Sequence, residues 1–207
     1  PALYAALALK GFFPEADLQG FRSIGSYLQG HPSMKDVPGV DMSTGSLGQG
    51  ISAAVGMAIA GKLDNKDYRV YAILGDGEIQ EGQVWEAMMA GAHFKLDNLC
   101  AFLDYNGLQI DGDIREVMNP DNVADKFRAF NWNVIEIDAH NVDQILDAIE
   151  QAKATKGKPT MVVAHSHKGK GVSFMEDQAG WHGVAPKPDE YEAAIRELDA
   201  EIAAREG

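Results

Sequence analysis

The sequence predicts an α/β fold, a mainly parallel sheet with helices on both faces. Three observations point there. From Ser46 onward, helical and strand-like stretches alternate to the end of the chain. Two of the strand-like stretches, residues 69–74 and 99–104, are near-continuous apolar runs, as expected of strands covered on both faces. The gap between these two runs holds one helix and two loops, enough for them to be neighbours in one sheet.

The elements follow in order. The chain starts at Pro1, not at a methionine, and runs directly into a helical pattern (Ala2-Leu3-Tyr4-Ala5-Ala6-Leu7), so a preceding segment is expected to be missing. Residues 48–63 are rich in Ala, Gly and Ile, which predicts a tightly packed, buried helix. After the strand at 69–74, residues 83–95 form a helix with Val84, Trp85, Met88 and Ala92 on one face. Beyond the strand at 99–104 come a helix at 121–130, a strand at 133–137, an amphipathic helix at 142–154 and a buried strand at 159–164. A charged amphipathic helix at 188–205 closes a single domain, 1–207. Stretches 12–44, 105–119 and 166–187 carry no regular pattern but many glycines and polar groups. Connections that long in a compact domain are functional or disordered.

Apolar residues make up 45% of the 207 and charged residues 24%, the balance of a soluble globular protein. No apolar run approaches the ~20 residues of a membrane span and no signal peptide is visible, so no membrane partner is expected. With 31 acids against 18 bases the net charge is −13, which repels a phosphate backbone and argues against nucleic acid. An anionic ligand therefore needs a local basic or backbone-amide site. Cys100, the single cysteine, lies inside Leu99-Cys100-Ala101-Phe102-Leu103 and reads as a buried reduced thiol. It has no internal disulfide partner, which fits a cytoplasmic protein.

The segment GDGEIQEG, residues 75–82, sets an acid between two glycines where a buried strand ends. In open α/β sheets ligands bind beyond the carboxyl ends of the strands. Asp104-Tyr105-Asn106-Gly107 stands at the end of the next strand, and Asn106 follows Asp76 by 106 − 76 = 30 residues. A carboxylate and an amide oxygen in one crevice are hard-oxygen ligands suited to Mg²⁺, which takes its remaining ligands from water and phosphates. Gly75 and Gly77 are expected to let the backbone turn sharply and approach a ligand closely. Amides at the helix start after Gly82 are candidates to help hold an anion. Either cluster alone reads as an ordinary turn; the pair at this spacing favours a metal–diphosphate site.

A GDG followed about thirty residues later by an Asn is similar to the signature of thiamine diphosphate enzymes. The longer strings resemble the transketolase family: GDGEIQEGQVWEA with LDYNGLQIDG, GHPSMKDVPGVDMSTGSLGQGISAAVG at 30–56, and KGKGVSFMEDQAGWHG at 168–183. In order along the chain they cover nearly all of it. The resemblance implies that Asp76, Asn106 and the Leu108 carbonyl hold Mg²⁺ (with Ca²⁺ or Mn²⁺ as substitutes) bridging the phosphates of thiamine diphosphate. It implies that Gly45 and Leu47 line the cofactor and that Gly77 contacts its diphosphate. Lys168 and His182, 182 − 168 = 14 positions apart, match a lysine and a histidine that face the cofactor. His31 matches a histidine near the reacting carbons of the sugar. Glu81 matches an acid at the dimer contact between two active sites; as a residue, it also suits a helix N-terminus.

The resemblance further implies a diphosphate-binding domain without the family's first segment and without the pyrimidine-binding domain, whose glutamate activates the cofactor. That predicts a split transketolase. This chain is then one of two subunit types, and a second polypeptide brings the pyrimidine-binding domain. Two of each form a heterotetramer, which transfers a two-carbon ketol unit between sugar phosphates. Three readings compete. They are the α subunit of a 2-oxo acid dehydrogenase or a deoxyxylulose-phosphate-type synthase, a cofactor-binding domain with no turnover, and a plain nucleotide-binding domain. His165, His167 and His182 suggest a zinc site only weakly, since no acid or cysteine at metal spacing completes it. His93 and His140 read as structural, and Trp85, Trp132 and Trp181 as packing residues.

Overall fold

A computed structural model of the chain describes residues 1–206; Gly207 lies outside the described residues. The chain packs as two compact units, Pro1–Gly50 and the remainder from Ile51 onward.

In the first unit, α1 (Ala2–Leu9) is built from Ala and Leu, strong helix formers, and buries Tyr4, Leu7 and Ala8 along one face. With Phe13, Leu28, Val37 and Val40 they form a small core. The Tyr4 hydroxyl donates to the Gln29 carbonyl at 2.6 Å, pinning the helix to the segment that follows. Within the stretch expected to be irregular, Glu15–Gly20 forms a 3₁₀ helix.

Helix α2 (Gln49–Leu63) buries Ile51, Ala54, Val55, Ala58 and Gly61. Only that stripe is covered; Gly56 and Ala60 face outward, so the helix is half-buried and not enclosed as its composition suggests. Small residues occur on both faces of it, and packing alone selects the buried one. After α2 come β1 (Val70–Gly75), α3 (Gly82–His93), β2 (Leu99–Tyr105), β3 (Leu108–Gln109), β4 (Gly112–Asp113), α4 (Ile114–Val117), α5 (Val123–Ala129), β5 (Asn133–Asp138), α6 (Val142–Ala154), β6 (Thr160–His165) and α7 (Pro188–Glu206). The stretch 105–119, expected to be irregular, thus holds a short antiparallel hairpin, β3 with β4, and one turn of helix. Two-residue strands are too short to show a hydrophobic period.

The main sheet has the order β1-β2-β6-β5 and every pairing is parallel. Residues of opposite parity along each strand feed opposite faces. Leu74, Leu99, Ala101, Leu103, Met161 and Val163 pack against α2, α3 and α5. Cys100, Val162, Ala164 and Ile137 pack against Ala148 and Ala152 of α6. Helices therefore lie on both faces, as expected. Trp85 stacks on Phe127 with ring centroids 5.3 Å apart, and the buried Trp132 donates its indole N–H to the Met88 carbonyl at 2.9 Å. One expectation fails at the sheet edge. Tyr71 and Ile73 of β1 are 45% and 79% exposed, so this strand is covered on one face only. The core beneath α6 takes residues from β2, β6 and β5 but none from β1.

Candidate functional site

Strands β1 and β2 are parallel neighbours with Gly75 opposite Asp104, so their carboxyl ends lie side by side. Asp76 leaves β1 at that point, its amide donating to the Asp104 carbonyl at 3.2 Å. Its side chain is 2% exposed and is the only charged one among the buried residues described. One carboxylate oxygen accepts from the Gly77 amide at 2.8 Å, the other from the Gly107 amide at 2.6 Å. Gly107 reaches it with φ +77°, a left-handed conformation that glycine adopts without steric cost. The Asn106 backbone also donates to this carboxylate, and the Asn106 side-chain Oδ1 accepts from the Leu108 N–H at 3.0 Å. Asp76 and Asn106 thus stand at the ends of neighbouring strands.

The glycines act differently from expectation. Gly77 has an ordinary helical φ of −67° and Gly75 is still in the strand, so the GDG turn needs no left-handed residue. What Gly77 lacks is room: a Cβ there would stand 3.1 Å from the Cβ of Gln109. The conformational demand falls on Gly107 instead. Helix α3 begins at Gly82, but the 3₁₀ turn Glu78–Gln80 separates it from Asp76.

Burial raises the pKa of Asp76 and the negative Asp104 adds to the rise, while the Gly107, Gly77 and Asn106 backbone donors oppose it. None of the ion pairs among the described residues involves Asp76. A carboxylate kept out of water with no cation to offset it is a strong site for a cation. Asp76, Asn106 and the Leu108 carbonyl offer hard oxygen donors of the kind Mg²⁺ takes. The residues present therefore fit a metal-bridged diphosphate.

A second group gathers on the loop after β6. Lys168 Nζ lies 3.5 Å from His182 Nδ1. The intervening chain folds back on itself: the Asp177 amide donates to the Lys168 carbonyl at 2.9 Å, and the Trp181 indole to the Phe174 carbonyl at 3.0 Å. Lys170 pairs with Glu176 at 3.3 Å, but Lys168 has no carboxylate partner among the described residues. In an acidic chain, an ammonium without a carboxylate is suited to a phosphate. His165 and His167 turn to Glu136 and Asp177, so with His182 each histidine has a different partner. His140 accepts from the His167 amide at 2.8 Å, the structural use expected of it. A cavity of about 730 Å³ at the carboxyl ends of β2, β6 and β5 is lined by Asn106, Leu108, Arg115, His140, Ser166 and His167 among others.

The third group belongs to the first unit. Gly45 has φ +139°, and a Cβ on it would collide with the His31 ring. Both line a cavity of about 430 Å³ with Ser33, Ser43, Thr44 and Gln49. Leu47 is 60% exposed. Glu81 is the N-cap residue of α3, exposed and with no side-chain cap hydrogen bond. Two residues absent from the sequence-based set join the groups. Asp104 accepts from Asn106 Nδ2 at 3.2 Å and from the Ser166 hydroxyl, and so links the end of β2 to the loop of Lys168. Asp104 and Ser166 are 166 − 104 = 62 positions apart, and no local pattern signals such a pair.

Comparison with known proteins gives the arrangement its context. The family model described as transketolase, thiamine diphosphate binding domain, matches residues 2–203. The chain is 49% identical over 201 residues to the 6-deoxy-6-sulfo-D-fructose transketolase subunit SqwG of Clostridium sp. (strain MSTE9), covering 97% of this chain and 73% of that one. It is 43% identical to an apulose-4-phosphate transketolase subunit from Phocaeicola vulgatus, covering 97% and 71%. A crystal structure of transketolase from Pichia stipitis in complex with sedoheptulose 7-phosphate superposes with TM-score 0.87 at 34% identity, over 95% of this chain and 31% of that one. Among the described residues no helix is long and apolar enough to cross a membrane. The chain belongs to the transketolase family and carries its thiamine diphosphate-binding domain.

Proposed function

We propose that this chain is the diphosphate-binding subunit of a two-component transketolase, which moves a two-carbon ketol unit from a ketose phosphate to an aldose. The observation that carries this reading is the Asp76 carboxylate, buried against the Gly107 amide with no ion-pair partner among the described residues. Two relatives bearing the word subunit in their names support the two-component arrangement.

Asp76, Asn106 and the Leu108 carbonyl hold Mg²⁺, for which Ca²⁺ or Mn²⁺ can stand in. Gly77, Lys168 and His182 hold the diphosphate, and Gly45 and Leu47 line the cofactor. Thiamine diphosphate, when bound, supplies the chemistry of breaking and making the carbon–carbon bond. His182 stays close to the reacting centre, and His31 donates to or accepts from a substrate hydroxyl, a task suited to imidazole near neutral pH. Glu81 lies at the contact with a second copy of this chain, near the cofactor. A companion chain brings the pyrimidine-binding domain, giving a heterotetramer that works in the cytoplasm in carbohydrate metabolism of the pentose phosphate type. Residues 1–207 act together as the diphosphate-binding domain of that assembly.

The test is a ketol-transfer assay on the protein purified from its source, with and without its companion chain, using xylulose 5-phosphate with ribose 5-phosphate and, separately, pyruvate. Transfer that requires the companion and ignores pyruvate is the expected result. Pyruvate decarboxylation in its place refutes the transferase reading, and no transfer with any companion leaves only a cofactor-binding domain.

A further inference from the structure

We propose that Asp104 is a positioning residue: it sets the Asn106 amide so that Oδ1 is the atom left for the metal, and through Ser166 it ties that amide to the loop bearing Lys168. The inference rests on the reading of Asp76 and Asn106 as metal ligands.

The oxygen and nitrogen of a primary amide are nearly equal in size, so only their hydrogen-bond partners decide which way the group faces. The distinction matters here because the NH₂ group is a donor and offers a cation nothing. Among the described residues the Asn106 side-chain amide has two partners, each of which allows one orientation only. The Asp104 side-chain oxygen Oδ2 accepts a hydrogen bond from Nδ2 at 3.2 Å. The Leu108 N–H is donor-only and gives one to Oδ1 at 3.0 Å. Turning the amide over would set an oxygen against a carboxylate and an NH₂ against an N–H. Asp104 is therefore half of a two-point lock.

The other oxygen of Asp104 accepts from the Ser166 hydroxyl. Ser166 is itself fixed, its amide donating to the Tyr105 carbonyl at 3.2 Å as β6 ends beside β2. One carboxylate thus spans the end of the strand that supplies Asn106 and the start of the loop that supplies Lys168. Outer partners of this kind orient ligands without touching the metal.

The test is calorimetric titration of Mg²⁺ into the full-length protein, assembled with its companion chain and saturated with thiamine diphosphate. Asp104→Ala should weaken Mg²⁺ by about 10–100-fold, the usual cost of losing an outer-shell partner. In an Asn106→Asp background the same change should cost nothing, because the two oxygens of a carboxylate are equivalent and need no orienting. Equal losses in both backgrounds would mark Asp104 as merely structural and overturn the inference, as would undiminished affinity in Asp104→Ala. Asp104→Asn guards against misfolding: its oxygen still accepts from Nδ2, so affinity should stay within about threefold of the parent. A full loss there would show that charge matters in place of amide orientation, and would also overturn it. Asn106→Ala separates the two levels, since retained Mg²⁺ affinity in that variant refutes the metal site itself.

Discussion

Asp76 and Asn106 differ from the other polar residues of this chain in where they stand. Most of its acids are solvated or paired, whereas Asp76 is buried against two backbone amides. Asp76→Ala and Asn106→Ala should each abolish Mg²⁺-dependent binding of thiamine diphosphate while the far-ultraviolet circular dichroism stays unchanged; calorimetry showing parental affinity in both would refute the metal assignment. His31→Ala should impair turnover more than cofactor binding, and equal losses would count against a role at the substrate. Gly45→Ala forces a Cβ into the His31 ring at φ +139°, and should cost about 1–3 kcal/mol in stability, read by urea unfolding, together with turnover. Cys100 is of another kind. Burial pushes its thiol up to about 11, so the folded protein should resist alkylation at neutral pH and react at once in denaturant. The sign follows from linkage. Between the ordinary thiol pKa and about 11 the unfolded chain loses this proton and the folded chain keeps it, so stability falls as pH rises through that window. Of these residues, Asp76, Asn106, Lys168 and His182 stand in motifs that can be read along the chain. Asp104 stands in such a motif too, but its pairing with Ser166 could not be read there, because their meeting depends on two strands ending side by side.

Strand β1 shows how an element departs from its own composition. Its apolar run reads as doubly covered, yet Leu74 is 1% exposed and Ile73 79% exposed. Leu74→Ala should therefore cost about 2–5 kcal/mol, and Ile73→Thr less than about 0.5 kcal/mol, in chemical unfolding of this chain. A large loss for Ile73→Thr would mean that this face is covered in solution. Helix α6 was legible throughout because its signals are local. It runs Val142–Ala154 as the amphipathic pattern predicts, and Asn141 caps it by accepting from the Gln144 amide at 3.2 Å. The β3–β4 hairpin was not legible, since two residues carry no period.

In the molecule as a whole, a net charge of −13 and the proposed diphosphate site are compatible if Lys168 and a metal at Asp76 supply positive charge locally. Mg²⁺ and thiamine diphosphate should then stabilise the protein only together. At about 100 times the dissociation constant the gain is about 2.7 kcal/mol, or about 5–10 °C in melting temperature for a chain of this size. A shift with either one alone would argue against a bridging metal. The pattern of residues along the chain is enough to establish the α/β class, the strand ends that bear Asp76 and Asn106, and the family motifs, since periodicity and spacing are properties of neighbouring residues. Folding settles the rest: the pairing of Gly75 with Asp104, the Gly107 amide on Asp76, the Asp104–Ser166 bridge and the bare face of β1. These are contacts between residues tens of positions apart, or depend on which helix covers which strand. Their energies exist only once the sheet has assembled, so no local stretch of sequence encodes them.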